Sequence, residues 1–113
     1  MAFNIFRKKN GDIFPLPDRI STDSEDLFCY GFDASSNQGT PSAIVKPLST
    51  DEVSKVLSFA SRQRSPVIPR GAGTGMTGGA VPVKEAIILS LDAMNRILEI
   101  DEKNMIAVAE PGV

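Results

Sequence analysis

At residues 69–80 the sequence is PRGAGTGMTGGA, and five of the chain's nine glycines fall within this stretch. Glycine loses the most conformational freedom on folding, so this density indicates positive φ angles or a close approach of the backbone to another group. Successive N–H groups that face one concavity bind anions, most often phosphate. Because strand-like segments flank the stretch, at 66–69 and 86–91, it predicts a phosphate-binding loop in preference to a flexible, ligand-free one.

Two well-known phosphate-binding loops do not fit this stretch. Gly73 to Gly78 satisfies the G-x-G-x-x-G pattern, but in a Rossmann unit the third glycine opens a helix. Here Pro82 stands where the helix interior would lie. A Walker A loop is excluded because no Lys-Ser or Lys-Thr pair follows Gly78 or Gly79. The remaining interpretation is a strand-to-strand loop that binds an anion through its own N–H groups.

The residues before the loop predict a β-α-β unit. A short strand at 43–46 precedes a helix from Thr50 to Gln63, which Ser49 and Glu52 begin as a capping box. The apolar face of this helix is predicted from the spacing of Val53, Val56, Leu57 and Ala60. With the strand at 66–69, the unit forms a right-handed crossover between parallel strands. The glycine loop then leaves the carboxyl end of a strand, where open α/β sheets bind ligands.

Three more strands are predicted after the loop. Residues 86–91 are apolar except for Ser90, which indicates a strand buried on both faces. Residues 97–100 and 105–109 look like strands joined by a polar turn. The predicted fold class is therefore α/β, with one small mixed sheet, a β-α-β unit and flanking helices.

Residues 1–40 are predicted as an N-terminal helical segment, separate from the α/β part at 41–113. Thr22 and Glu25 form a capping-box pattern for a helix that ends near Gly31. A loop rich in Ser, Asn, Gly and Pro follows from Asp33 onward. We interpret Asp33 as a cap or turn residue in preference to a ligand contact.

Composition excludes several functional classes. The net charge is −2 with an isoelectric point near 5.0, so no nucleic-acid partner is expected. The chain has no histidine and a single cysteine, Cys29, which we expect to be a buried apolar residue rather than a nucleophile. We predict no catalytic residue and no metal ligand. A lone cysteine, no bilayer-length apolar run and no signal-peptide pattern favour a cytoplasmic location.

Several motifs in fixed order carry a family resemblance. These are Arg70 to Gly75, Thr77 to Gly79, Ile88 to Leu91, Met94-Asn95 and Glu110 to Val113. Together they resemble the start of the FAD-binding domain of FAD-linked oxidases, the vanillyl-alcohol-oxidase or p-cresol-methylhydroxylase (PCMH) type. The resemblance lies with the glycolate oxidase and D-lactate dehydrogenase branch. It implies that residues 41–113 are the first subdomain of a two-lobed FAD domain, truncated at its carboxyl end.

The resemblance implies FAD as cofactor and a set of binding residues. The set is Pro69, Arg70, Gly71, Ala72, Gly73, Thr74, Gly75, Thr77, Gly78, Pro111, Gly112 and Val113. N–H groups of the loop, with the Thr74 hydroxyl, would hold the pyrophosphate, and positive φ is expected at Gly73 and Gly75. Arg70 would either offset phosphate charge or pair with a carboxylate such as Glu110. Because no histidine is present and Cys29 precedes the loop by far, the FAD is expected to be non-covalent.

By the same resemblance, the full-length protein would oxidise a small D-2-hydroxy acid, such as glycolate or D-lactate, and pass electrons to an acceptor. Family members continue beyond Val113 and carry their substrate and metal residues there. We therefore expect this chain to be the N-terminal piece of an enzyme, inactive alone and able to self-associate. Partner subunits could place the enzyme at the inner face of the membrane. Two alternatives remain open, a non-redox nucleotide- or phosphate-binding module and a structural domain with an empty loop.

Overall fold

The computed structural model describes residues 12–113, and the part of the predicted N-terminal segment before Asp12 lies outside them. A 3-10 turn at Pro17–Arg19 comes first. The remaining elements are β1 (Ile20–Ser21), α1 (Ser24–Cys29), β2 (Ala43–Val45), α2 (Thr50–Gln63), β3 (Val67–Arg70), β4 (Ile87–Ser90), β5 (Ile97–Asp101) and β6 (Ile106–Ala109). The predicted α/β fold with a small mixed sheet is confirmed.

The central sheet has four strands in the order β1-β2-β4-β3. Strands β2, β4 and β3 are parallel, and β1 adds an antiparallel edge to β2. Every residue of β4 is buried, which agrees with its continuous apolar sequence and its place between two neighbours. The two residues of β1 were not predicted as a strand. Because β1 pairs with β2, residues before 40 contribute to the same sheet as the β-α-β unit.

Helix α2 has the predicted bounds, Thr50–Gln63. The hydroxyl of Ser49 accepts a hydrogen bond from the N–H of Glu52, and the Glu52 carboxylate accepts one from the N–H of Leu48. Both bonds satisfy N–H groups that the first helical turn leaves unpaired. The residue that follows the helix, Arg64, is its C-cap and adopts a left-handed conformation with φ of 54°.

The buried face of α2 is slightly rotated from the predicted one. Val56, Phe59 and Ala60 are buried against the sheet, whereas Leu57 is 45% exposed. The Phe59 ring meets the edge of Phe14 at a centroid distance of 5.1 Å. The core therefore lies between α2, the sheet and the chain that precedes β1.

Two predictions for the N-terminal part are wrong. Helix α1 has Asp23 as its N-cap, with no side-chain capping bond, so Thr22 does not form the predicted capping box. The N–H of Asp23 instead donates to the Ser21 hydroxyl in a local turn. Cys29 is exposed rather than buried, because the short helix α1 buries none of its residues.

Strands β5 and β6 form a separate antiparallel hairpin, not further strands of the central sheet. Its polar turn is present, and Asp101 accepts a hydrogen bond from the N–H of Asn104 there. The exposed apolar side chains of the hairpin are Ile97, Leu98, Ile100, Met105, Ile106 and Val108. So much exposed apolar surface is consistent with self-association, which remains a prediction.

Candidate functional site

The glycine loop leaves the carboxyl edge of the central sheet, as predicted. Strand β3 ends at Arg70, whose carbonyl accepts a 2.8 Å hydrogen bond from the N–H of Leu91, just after β4. Lys46, which follows β2, lies at the same edge because the three strands are parallel. The loop therefore begins where open α/β sheets place their ligands.

Only some of the loop glycines require their special backbone freedom. Gly73 and Gly78 have positive φ angles of 72° and 80°, whereas Gly75 does not. The prediction of positive φ is thus confirmed at Gly73 and wrong at Gly75. At Gly71 and Gly79 a Cβ atom would meet no other atom within 4 Å. Those two positions leave open space beside the backbone, where another molecule can approach it closely.

The N–H groups of residues 71–77 have no hydrogen-bond acceptor among the described residues. The bonds the loop does form use its carbonyls, since Gly75 accepts from the N–H of Ala34 and Gly78 from that of Val81. Most of residues 71–77 are exposed. A run of unpaired N–H groups on a glycine backbone is the arrangement that binds a phosphate or diphosphate.

A second segment, Phe32–Asn37, lies against the loop, and we call it the support segment. The Arg70 guanidinium donates a 2.8 Å hydrogen bond to the carbonyl of Phe32. The N–H of Ala34 donates a 2.9 Å bond to the carbonyl of Gly75. Sequence analysis missed this contact, because the support segment contributes only backbone groups to the two bonds, the Phe32 carbonyl and the Ala34 N–H. The one usable signal was Asp33 at the start of a loop.

Asp33 is the carboxylate of the support segment, and only 8% of its surface is exposed. Its Oδ1 atom accepts a 2.8 Å hydrogen bond from the N–H of Ser35, which confirms the predicted turn role. Hydrogen bonds from Ser35 are the largest cause that lowers the pKa of Asp33, and the N–H groups of Ala80 and Gly78 lower it further. The carboxylate is therefore charged at neutral pH.

Arg70 does not pair with Glu110, so that alternative is wrong. Glu110 instead binds Arg96, with 2.6 Å between Oε1 and Nη2, and these hydrogen bonds lower the pKa of Glu110. The Arg70 guanidinium lies 5.2 Å from the centre of the Tyr30 ring. A Cβ at Gly73 would collide with this guanidinium, so Arg70 packs directly under the loop. A role of Arg70 toward phosphate remains a prediction.

A polar cluster lies at the same edge beside Tyr30. Lys46 forms a 3.3 Å ion pair with Asp92 and lies 5.2 Å from the centre of the Tyr30 ring. The hydroxyl of buried Ser90 donates a 2.7 Å hydrogen bond to Asp92. A cavity of about 350 Å³ adjoins this cluster. It is lined by Asp18, Arg19, Ile20, Ser21, Asp26, Tyr30, Ile44, Lys46, Leu48 and Ala93.

The other predicted binding residues occupy two places. Thr74 and Thr77 are exposed on the loop, and their hydroxyls have no partner among the described residues. Gly112 donates a hydrogen bond to the carbonyl of Met94, and a Cβ there would collide with the carbonyl of Leu91. The terminal motif therefore lies beside the end of β4. Its cofactor role, like that of the loop residues, stays a prediction.

The described residues offer little other chemistry. Between residues 12 and 113, no group of three or more His, Cys, Asp or Glu side chains is placed to bind a metal ion. None of the described helices is long and apolar enough to cross a membrane. The open N–H groups of the loop are thus the strongest indication of a ligand, and their donor set fits the diphosphate of a dinucleotide.

Comparisons with known proteins agree with this geometry. Residues 41–113 match the model of a family described as FAD binding domain. The chain is 39% identical over 98 residues to glycolate oxidase subunit GlcD of Bacillus subtilis, covering 86% of this chain and 21% of that protein. It is 47% identical over 70 residues to D-lactate dehydrogenase of Archaeoglobus fulgidus, covering 62% of this chain and 16% of the relative.

A solved structure of p-cresol methylhydroxylase is also similar, with a TM-score of 0.75 and 29% identity over 85% of this chain and 20% of that one. The chain thus spans about a fifth of the length of such proteins. The family match includes the whole glycine loop and its flanking parallel strands. We conclude that the chain belongs to the FAD binding domain family of FAD-linked oxidoreductases, and that its cofactor is FAD.

Proposed function

We propose that this chain provides the diphosphate-binding part of the FAD site in an enzyme that oxidises a small D-2-hydroxy acid to the 2-oxo acid. The relatives named as a glycolate oxidase subunit and a D-lactate dehydrogenase support this substrate class. Bound FAD would accept two electrons from the hydroxy acid, and the protein would supply binding and orientation. The name of the first relative, a subunit, supports partner subunits as well.

The observation that carries the proposal is the run of unpaired N–H groups at residues 71–77. In the apo protein these exposed groups are hydrated, so leaving them without a protein partner is not unfavourable. A diphosphate replaces this water with charge-assisted hydrogen bonds, which are about twice as strong as neutral ones. The proposed donors are the N–H groups of Gly71 to Gly75, with Thr74 and Thr77 contributing hydroxyls.

Within the proposal, Arg70 adds positive charge beneath the diphosphate. Its guanidinium is held at the base of the loop by Phe32 and Tyr30, so it needs no rearrangement to act on the phosphate charge. Pro69 shapes the entry of the loop, and Thr77 and Gly78 border the ribityl region. Pro111, Gly112 and Val113 lie toward the flavin. The groups that bind the substrate and accept its proton belong to other parts of the protein.

A cytoplasmic location is part of the proposal. It is supported by the single cysteine, which can form no internal disulfide and suits a reducing compartment. A peripheral position at the inner face of the membrane would depend on partner subunits.

The test uses Gly71→Val in the full-length protein. Gly71 has no positive φ and open space at its Cβ position, so valine should leave the stability of the apoprotein unchanged. It should nevertheless block the approach of the diphosphate to the backbone. Losing one charge-assisted hydrogen bond, about 1.5–3 kcal/mol, raises the Kd of FAD about ten- to hundredfold. Flavin fluorescence measures this Kd.

Lys103→Val is the control, because Lys103 is exposed in the turn of the β5–β6 hairpin, outside the glycine loop. It should bind FAD as the wild type does. Unchanged affinity in Gly71→Val would contradict the assignment of the loop. Substrate class is tested separately, by adding glycolate, D-lactate and L-lactate to the holoprotein. If neither glycolate nor D-lactate bleaches the flavin, the proposed reaction is rejected, whereas the assignment of the cofactor site still stands.

A further inference from the structure

One oxygen of the Asp33 carboxylate is buried without a hydrogen-bond partner among the described residues. Oδ1 accepts the N–H of Ser35, but Oδ2 has almost no accessible surface and no hydrogen-bond partner among the described residues. A buried acceptor without a donor is unfavourable, and a charged one is more so. Such a group in a native protein therefore calls for an explanation, such as a functional role or a bound water or ion.

The surroundings of Oδ2 limit what that bond can be. The atom is enclosed, so a cofactor group arriving from solvent does not reach it without displacing the loop. A phosphate is excluded in any case, because it would place two negative charges together. The backbone of the glycine loop lies close to the carboxylate, as does the Ser35 hydroxyl. A Cβ built at Gly75 would lie 3.8 Å from Oδ2, in ordinary contact.

The second half of the glycine loop carries suitable donors. The N–H groups of Gly78 and Ala80 lie close enough to the carboxylate to lower the pKa of Asp33, but neither forms a hydrogen bond to Oδ2. Asn37 of the support segment also lies beside Gly78, 3.2 Å from the position of a Cβ there. The N–H groups of Gly78 and Ala80 are therefore candidate donors to Oδ2.

We propose that Asp33 is a positioning residue of the FAD site, whose Oδ2 atom accepts hydrogen bonds from the N–H groups of Gly78 and Ala80 when the loop closes on the diphosphate. The proposal rests on the proposed function above and assigns Asp33 no contact with the cofactor. Its effect is to fix residues 78–80 from behind, while residues 71–75 bind the ligand in front. When one half of the loop is already ordered, the other half loses less conformational entropy on binding.

Asp33→Asn separates this role from a simple turn role. Asparagine has the same shape and supports the same kind of turn, so the bond from Ser35 to Oδ1 can remain. It replaces Oδ2 with an NH2 donor, which would face the two N–H donors of the loop. If Asp33 only forms a turn, the variant binds FAD normally. If Asp33 positions the loop, losing the charged acceptor weakens FAD binding about ten- to hundredfold.

The experiment compares full-length wild type, Asp33→Asn and Asp101→Asn. Asp101 is the matched control because it too accepts a backbone N–H within its own turn, from Asn104, but in the β5–β6 hairpin. Urea unfolding of each apoprotein shows that the variants fold, and flavin fluorescence gives the Kd of FAD. We expect the Kd to rise in Asp33→Asn only, with unfolding free energies close to the wild type.

Hydrogen exchange provides a readout that a turn role would not change. In the wild type, FAD should slow exchange of the Ala80 N–H group, which lies outside the proposed cofactor contacts, and in Asp33→Asn this slowing should be lost. Equal FAD affinity of wild type and Asp33→Asn overturns the proposal, as does exchange at Ala80 that FAD leaves unchanged. The exchange of the wild type decides the question even if Asp33→Asn does not fold. Wild type that binds no FAD would instead reject the function on which the proposal rests.

Discussion

Replacing Gly73 with alanine should show how far the loop backbone and Arg70 depend on each other. The φ angle of Gly73, 72°, is left-handed, which costs an alanine about 1–2 kcal/mol. A Cβ at this position would also collide with the Arg70 guanidinium and displace it. Arg70 would then lose its 2.8 Å bond to Phe32, a net loss of about 0.5–1.5 kcal/mol. It would also lose its contact with the Tyr30 ring, about 0.5–1 kcal/mol at an exposed site.

Gly73→Ala is therefore expected to lower the free energy of unfolding by about 2–4.5 kcal/mol, measured by urea unfolding of the apoprotein. Gly75→Ala is the matched control, because Gly75 lacks a positive φ and its Cβ would only touch Asp33. That control should lose less than about 1 kcal/mol. Equal stability of the two variants would refute the argument for Gly73.

A double-mutant cycle separates backbone strain from the displacement of Arg70. In an Arg70→Ala background no guanidinium remains to be displaced, so Gly73→Ala should cost only the backbone strain, about 1–2 kcal/mol. If Gly73→Ala costs as much in that background as in the wild type, the collision with Arg70 has no energetic effect. The strain at Gly73 would then account for the whole loss.

Three further predictions concern other parts of the chain. Arg96 lowers the pKa of Glu110 in the folded state, so the pair stabilises the fold at pH values above the unfolded pKa of about 4.5. This stabilisation is lost as the pH falls through the folded pKa. In Glu110→Gln, the free energy of unfolding should therefore change less with pH in the acid range. Gly112→Ala should lower the Tm by several degrees, because a Cβ would collide with the Leu91 carbonyl, and an unchanged Tm would contradict this packing. Acid precipitation of the full-length holoprotein should leave no flavin on peptides from residues 1–113, and a yellow peptide from this segment would show a covalent bond.

The elements that sequence predicts well have local causes. The bounds of α2 follow from Ser49 and Glu52, whose side chains complete hydrogen bonds within one turn. The central position of β4 follows from an apolar run that only a strand buried on both faces requires. The position of the glycine loop after β3 was predictable because its glycines allow backbone angles and close approaches that other residues do not. Its anion-binding role remains a prediction.

The elements that sequence predicts poorly depend on partners far along the chain. Phe59 rather than Leu57 is buried because Phe14, which is distant in sequence, packs against it. Arg70 has several acceptors within reach of its long side chain, and only the fold selects Phe32 over Glu110. Strand β1 is two residues long and forms only because β2 offers it a free edge.

The glycine loop is thus stabilised on one side and open on the other. The Gly75 carbonyl and Arg70 bind the support segment, whereas the N–H groups of residues 71–77 have no partner among the described residues. Because those N–H groups are hydrated, the apo loop tolerates them, and the affinity for a diphosphate depends on how well the backbone is held in place. If the loop binds the diphosphate as proposed, changes in the support segment should also weaken FAD binding, although the proposal gives the support segment no contact with the cofactor.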